Sequence, residues 1–314
     1  MAARLPICGK VDSSYILKCA LSANGLNGSV MLSLFAGKKR RMSASTETVP
    51  TPVLRIIPVS QVYPHEVHDS QRSAPLREKL KHAETLVNPI IVAPMDSTHY
   101  VVLDGANRYH TLCDLGYPQI IAQVVNYSNV QVRLDVWQHV ISHWERVLLI
   151  EQIDQLDGIQ IEQGWQDHAL ARLTLRGGLT LSIISSSDDL EERNRQLRSV
   201  VNVYQTQARL FRTASSDPGE IWHLYPQAIA LIAFPRYEPD DIIAAARTQA
   251  LLPTGISRHI IFGRALKLNY PLKVLRDESI SVDEKNEALR AWVEDRLSNR
   301  GVRFYAESTY LFDE

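Results

Sequence analysis

The chain has 314 residues, of which 45% are hydrophobic and 22% charged, and a formal charge of -1. That mixture excludes a wholly disordered chain, and the near-neutral balance excludes a globally basic nucleic-acid binder. The average hides an asymmetry. Residues 1–50 hold seven basic residues (Arg4, Lys10, Lys18, Lys38, Lys39, Arg40, Arg41) and two acidic ones (Asp12, Glu47), which leaves 27 basic and 33 acidic residues in the rest. Cys8, Cys19 and Cys113 are too few and too scattered for a disulfide framework or a zinc site, so a reducing cytoplasm is expected. No apolar run approaches the roughly 20 residues that span a bilayer, and the N-terminus lacks the order of a secretory leader.

In chain order, residues 1–50 read as a disordered extension or a start placed too early, with Met42 directly after the Lys38-Lys39-Arg40-Arg41 cluster. A basic arm for an anionic surface is the alternative. From residue 53 the patterns sharpen. Val53–Ile57 predicts a buried strand, and Ala74–Glu84 a helix with Pro75 in its first turn. Strands are predicted at Pro89–Ala93 and Tyr100–Leu103, the latter ended by Asp104-Gly105. Asn107–Leu115 has helical spacing and stops at Gly116. Ile120–Val125 predicts another strand, and Val130–Ile150 a mainly helical stretch. This order makes an α/β unit of residues 51–150.

A second α/β unit is expected over residues 151–314. Ala169–Leu175 and Leu179–Ile184 alternate around Arg176-Gly177-Gly178, a hairpin pattern. Leu190–Phe211 predicts a long charge-laced helix, Ala228–Phe234 a strand, and Asp240–Leu251 and Asp283–Ser298 two further helices. The two units together give an α/β (α+β) fold with a cleft between them.

The most informative stretch is Val101–His110, where a strand ends in Asp-Gly and a helix starts within two residues. Free N–H groups at a helix start attract anions, Gly105 permits close backbone approach, and Arg108 adds a fork of donors for phosphate. A β-to-α turn with a structural salt bridge from Arg108 fits the same local pattern. Asp104 can hold a magnesium ion or orient a hydroxyl. The chain has neither a Gly-x-x-x-x-Gly-Lys-Ser/Thr loop nor a Gly-x-Gly-x-x-Gly fingerprint, which excludes a P-loop kinase and leaves a dinucleotide-binding Rossmann site unsupported.

The turn Gly105-Ala106-Asn107-Arg108 resembles the Gly-x-x-Arg phosphate turn of the ParB/sulfiredoxin fold family. With Asp104 before it and Leu115-Gly116 after it, it is most similar to the free serine kinases of that superfamily. Leu54–Val59, Pro64-His65-Glu66 and Asn88–Val92 match the family's upstream layout. Leu134–His139, Pro253–His259 and Arg303–Ser308 resemble the ParB-like serine kinases of staphyloferrin B siderophore clusters. Related kinases often carry two histidines between the Gly and the Arg. Here Ala106 and Asn107 stand there, and His110 is the nearest histidine that can take over such a role.

The resemblance implies phosphorylation of free L-serine to O-phospho-L-serine, with ATP or ADP as donor and Mg²⁺ as cofactor. The product would feed amino-acid or siderophore precursors. It makes Glu66 the catalytic carboxylate, flanked by His65 and His68, with Asp69 and Arg72 as weaker members of the same loop. Gly105, Ala106, Asn107, Arg108 and His110 would bind phosphate, and Asp104 would hold Mg²⁺ or orient the phosphates. Trp137, His139, Thr254, Gly255, Arg258 and His259 would form the serine pocket, with Arg258 as a carboxylate clamp. The rival reading is a ParB-like DNA-binding regulator or partition-type nucleotide-binding protein. A hairpin and scattered helices stand where a helix-turn-helix would be expected, and the body is net acidic, so DNA is the less favoured partner. A sulfiredoxin-type reductase lacks its cysteine in the turn. Cys113 reads as an inert core thiol.

Overall fold

A computed structural model describes residues 51–127 and 132–305; residues 49–314 group as one compact unit. The basic N-terminal segment and Ala306–Ser308 lie outside the described residues.

Five strands form the first sheet: β1 (Val53–Pro58), β2 (Val62–Pro64), β4 (Ile90–Pro94), β5 (Tyr100–Asp104) and β6 (Gln119–Val124). Their order is β1-β6-β4-β5-β2, antiparallel at β1/β6 and β4/β5 and parallel at β6/β4 and β5/β2. Helix α1 (Ser70–Lys81) lies between β2 and β3 (Thr85–Leu86), and α2 (Ala106–Asp114) follows β5. Helix α1 begins at Ser70, earlier than its pattern predicts, so Pro75 sits inside it rather than in its first turn.

Two strands replace much of the helix predicted over Val130–Ile150. They are β7 (Val132–Val136) and β8 (Gln138–Ser142), and α3 (Arg146–Asp154) follows them. Val132, Leu134 and Val136 alternate with Arg133 and Asp135, the period of a half-covered strand. Strand β8 is buried at every position, so it carries no alternation at all.

The second sheet is wholly antiparallel, in the order β12-β8-β13-β10-β11-β9. Its remaining strands are β9 (Ile159–Gln163), β10 (Ala171–Leu175), β11 (Thr180–Ser185), β12 (Arg209–Thr213) and β13 (Ala228–Ala233). The predicted hairpin is β10–β11, with Gly177 and Gly178 both at positive φ. Helix α4 (Leu190–Gln207) ends before Phe211, which belongs to edge strand β12. Helices α5 (Pro218–Leu224) and α6 (Pro239–Thr248) flank β13 in sequence.

Strand β14 (Ser257–Ile261) pairs with β7 in a two-stranded ribbon, and β15 (Tyr270–Pro271) pairs with β3. Helices α7 (Leu272–Arg276) and α8 (Val282–Ser298) return to the first sheet. There Asn286 fastens the outer strand: its Oδ1 accepts from Ile56 N at 2.8 Å and its Nδ2 donates to Ile56 O at 2.9 Å. The boundary expected between residues 150 and 151 falls within α3.

Alternate residues of the central strands serve two cores. Ile90, Val92, Tyr100 and Val102 face the helices α7 and α8, together with Leu272, Leu275 and Leu289. Ala93, Val101 and Leu103 face the other way and share a core with Ile141, Leu173 and Ile232 of the second sheet. Burying both faces explains why β4 and β5 read as unbroken apolar runs.

Candidate active site

Strand β5 carries Asp104 to the edge of a cleft of about 840 Å³, within the range of small-molecule sites. Gly105 follows at φ +92°, a left-handed conformation that a side chain disfavours. A Cβ there would lie 2.7 Å from Arg108 Nη2 and 3.0 Å from Ile90 Cγ2. Gly105 also caps α2 without any side-chain bond to its first N–H groups. The residues that carry those donors, Ala106 to Arg108, line the cleft, the position in which a helix start can serve an anion.

Two guanidinium groups converge on Asp104. Arg264 Nη1 donates to Oδ2 at 2.8 Å, and Arg108 Nη2 reaches the same oxygen at 3.4 Å. Arg108 Nε is buried and has no partner. Burial presses the Arg108 guanidinium toward neutrality, Arg264 adds to that, and Asp104 opposes it. A phosphate would relieve this cation without displacing Asp104. Arg264 has no signal in the local turn, because it comes from the segment after β14.

The other members of the turn divide. Gly105, Ala106, Asn107 and Arg108 line the cleft. Asn107 also reaches sideways, its Oδ1 accepting from Asp69 N at 3.1 Å, and so joins the turn to the Glu66 loop. His110 does not line the cleft. It lies half-buried with its ring 4.5 Å from that of His68, and burial lowers its pKa.

Glu66 faces the turn from β2's end. Its Oε2 accepts from Gly255 N at 2.8 Å; its Oε1 accepts from Ser257 N at 2.7 Å and Ser257 Oγ at 2.6 Å. The backbone adds two more ties, Val67 N to Leu252 O at 2.9 Å and Leu252 N to His65 O at 2.8 Å. The carboxylate is therefore fixed in position, not a mobile loop group.

His65 is buried rather than a surface histidine, at 4% exposure. Its Nδ1 lies 2.7 Å from Val102 O and its Nε2 2.7 Å from Ser257 Oγ. Asp69 lies 3.8 Å from Arg72, which extends into the cleft.

The residues expected to form the serine pocket also divide. Trp137, Thr254 and Gly255 line the cleft. His139, on β8 instead of a helix, is fully buried behind it. Its Nδ1 meets Tyr204 Oη at 2.8 Å and its Nε2 lies 3.4 Å from Gly255 O. Desolvation lowers its pKa to about 3, with Arg212 adding to the effect. His259 is buried too, with Nε2 2.7 Å from Tyr127 Oη. Arg258 alternates away from Ser257 along β14. Its guanidinium lies 4.5 Å from the Trp137 ring centre and 3.6 Å from Asp135 Oδ2.

Arg212, which sequence patterns do not single out, takes the inward position instead. It projects from edge strand β12 into the cleft, with Nη2 donating to Thr254 O at 3.3 Å and a buried Nε without a partner. Gly255, at φ +71°, leaves room for it: a Cβ there would lie 2.4 Å from Arg212 Cζ.

Among the described residues, no cluster of three or more His, Cys, Asp or Glu side chains forms a metal cage. Asp104 lines the cleft with Oδ2 engaged by the two arginines, so it can offer at most one further carboxylate oxygen to a metal ion. That suits Mg²⁺ held mainly by phosphate oxygens and water.

No protein-family model matches the chain. It is 24% identical over 270 residues to the ATP-dependent L-serine kinase SbnI of Staphylococcus aureus, covering 83% of this chain and 97% of that one. The structure of SbnI with a C-terminal truncation matches at a TM-score of 0.63 and 22% identity, over 79% of this chain and 97% of that one. A free serine kinase in complex with AMP matches at a TM-score of 0.63 and 12% identity, over 72% and 95%. The chain has the free serine kinase fold. Within that fold the cleft runs from the Gly105 turn to the Glu66 carboxylate. Among the described residues, no helix is long and apolar enough to cross a membrane.

Proposed function

We propose that this chain is an ATP-dependent kinase of free L-serine, working in the cytoplasm where ATP is supplied. The observation that carries the reading is one cleft with an anion-binding helix start at one wall and a fixed carboxylate at the other. Phosphoryl transfer needs little else: positioning, a proton acceptor and positive charge around the transferred group.

The nucleotide phosphates rest on the N–H groups of Ala106 to Arg108, with Arg108 and Arg264 supplying charge. Mg²⁺, held through Asp104, supplies neutralisation of the phosphate oxygens when bound. The apolar stretch lined by Leu76, Leu80 and Val87 receives the base. Serine lies between Trp137 and Glu66, with its hydroxyl toward the carboxylate and its own carboxylate on Arg212. Arg258 steadies the Trp137 ring from outside the pocket, and His139 supports the Gly255 carbonyl from beneath.

Incubation of the full chain with serine, Mg²⁺ and either ATP or ADP, followed by mass spectrometry, tests this reading. O-phosphoserine should form with ATP and fall by about 100-fold or more in Arg108→Ala, the cost of a lost charge-assisted phosphate contact in a catalytic site. Absence of product with both donors, together with tight binding to duplex DNA, would overturn it.

A further inference from the structure

Proton counting at His65, Ser257 and Glu66 goes one step beyond the proposed reaction and rests on it. His65 Nδ1 faces the Val102 carbonyl at 2.7 Å, which can only accept, so Nδ1 carries a hydrogen. The other ring nitrogen lies 2.7 Å from Ser257 Oγ, and that same oxygen lies 2.6 Å from Glu66 Oε1. With a neutral imidazole and an ionised carboxylate, Ser257 offers one hydrogen to two acceptors. One of the two short contacts then has no hydrogen in it. A single extra proton fills the gap, on Glu66 or on His65. The cluster is therefore one proton short at rest and has a prepared place for one.

We propose that Ser257 relays to His65 the proton that Glu66 takes from the substrate hydroxyl. The balance is simple. The serine O–H bond breaks as its oxygen bonds to the terminal phosphorus, and the bond from phosphorus to the departing nucleotide diphosphate breaks. The proton passes to a Glu66 oxygen. Glu66 then donates to Ser257 Oγ as the Ser257 hydroxyl proton moves to His65 Nε2. Glu66 returns to its anion, Ser257 is unchanged, and His65 is an imidazolium until product leaves.

The surroundings act on both ends of this path. Three donors (Gly255 N, Ser257 N and Ser257 Oγ) hold the Glu66 carboxylate against Ser257, so a proton arriving there has a hydrogen-bonded path onward. Burial lowers the His65 pKa and so starts the ring neutral, while Glu66 and Val102 pull the other way; the same burial makes the imidazolium a short-lived state that returns its proton. The groups facing His65 are Glu66, with Oε1 at 3.7 Å, the Val102 carbonyl of β5, and the His259 ring at 5.5 Å. His259 in turn meets the Tyr127 hydroxyl, and its carbonyl meets Arg264. His65 and Ser257 are positioning residues here, since neither needs to touch substrate.

The test follows phosphoserine formation by wild type, Ser257→Ala, Ser257→Thr and His65→Gln from pH 5 to 9. The expected kcat loss is about 10- to 100-fold in Ser257→Ala and His65→Gln, with both KM values held within about twofold. Ser257→Thr keeps the hydroxyl and should recover most of the rate. Wild-type kcat should fall on the acid side through one ionisation below pH 6.5 that both deficient variants lack. An unchanged rate and pH profile in Ser257→Ala, or a loss carried by KM alone, overturns the relay. Nitrogen-15 NMR of histidine-labelled wild type provides a readout free of turnover, with His65→Gln assigning the signal. At pH 8, Nδ1 should be protonated and Nε2 bare. A protonated Nε2 overturns the relay even if phosphoserine forms. A wild type that makes no phosphoserine overturns the kinase reading instead, and the NMR result then decides whether the acceptor exists.

Discussion

The two walls of the cleft are built in opposite ways. The wall proposed to hold phosphate is built around five consecutive residues, Asp104 to Arg108, at one strand-to-helix junction, and Arg264 joins it from afar. The carboxylate wall gathers Glu66, Trp137, Arg212 and the 254–257 segment from both sheets and from the β7–β14 ribbon. The first is set by local backbone geometry. The second exists only when segments nearly 200 residues apart are hydrogen-bonded together. A local wall fails through its own conformation, while an assembled wall fails through loss of the ties between its parts.

The largest expected effect is on the assembled wall. Glu66→Gln keeps the size of the side chain but turns one oxygen into an amide facing N–H donors, and removes the proton acceptor. Phosphoserine formation should fall about 10²- to 10⁴-fold at saturating substrates, the usual worth of a general base. A variant within about threefold of wild type would leave the carboxylate as a strut only.

The local wall should break at Gly105→Ala. The new methyl group meets Arg108 and Ile90 and sits in a left-handed backbone. Strain of about 1–3 kcal/mol is expected, with kcat/KM for ATP lowered about 10- to 100-fold and serine binding preserved. An equal loss for both substrates would show that the two walls are not separable.

Arg212→Lys keeps a charge but loses the planar fork. The KM for serine should rise about tenfold with little change in the KM for ATP, measured by initial rates. A rise for ATP instead would move Arg212 to the phosphate.

Acid should act on the ties around the assembled wall. His65, His139 and His259 are all buried with lowered pKa values. Above pH 6.5 neither the folded nor the unfolded chain holds these protons. Below it the unfolded chain binds them and the folded chain resists, so stability falls as pH drops. For His139 the loss continues toward its folded value of about 3. Each histidine contributes about 1.4 kcal/mol per pH unit within its window. Urea melts from pH 7.5 to 5 should show a steep decline, and His139→Asn should flatten it.

The smallest effect is a control far from both walls. Asn286→Ala removes the fastening of β1 to α8 and should cost about 1 kcal/mol in the same melts without altering either KM.

The strand–turn–helix at Gly105 was legible because Asp-Gly after an apolar run and before helical spacing is a local code. Glu66 was legible only through family resemblance, since one carboxylate in a loop has no pattern of its own. Arg212 was hidden at the far end of what reads as a continuous helix from Leu190 to Phe211, and Arg264 in a segment without periodicity. Arg258 lies on Trp137 and Asp135 rather than among the lining residues, because the pairing of β14 with β7, more than 100 residues apart, fixes which side chains face the cleft. The pattern around His139 reads as helical because the strand that holds it buries every residue and so shows no alternation.

The α/β class, the strand–turn–helix at Gly105 and the acidic character of the body after residue 50 are readable along the chain alone. Those follow from short-range periodicity, glycine's freedom at positive φ and a count of charges. The tertiary structure decided which arginines enter the cleft, that Glu66 is clamped by Gly255 and Ser257, and that His65 is a buried neighbour of that carboxylate. The difference is one of range. A helix start satisfies or exposes its N–H groups within one turn. The donors that hold a buried carboxylate come from whichever distant segment the shared core brings beside it.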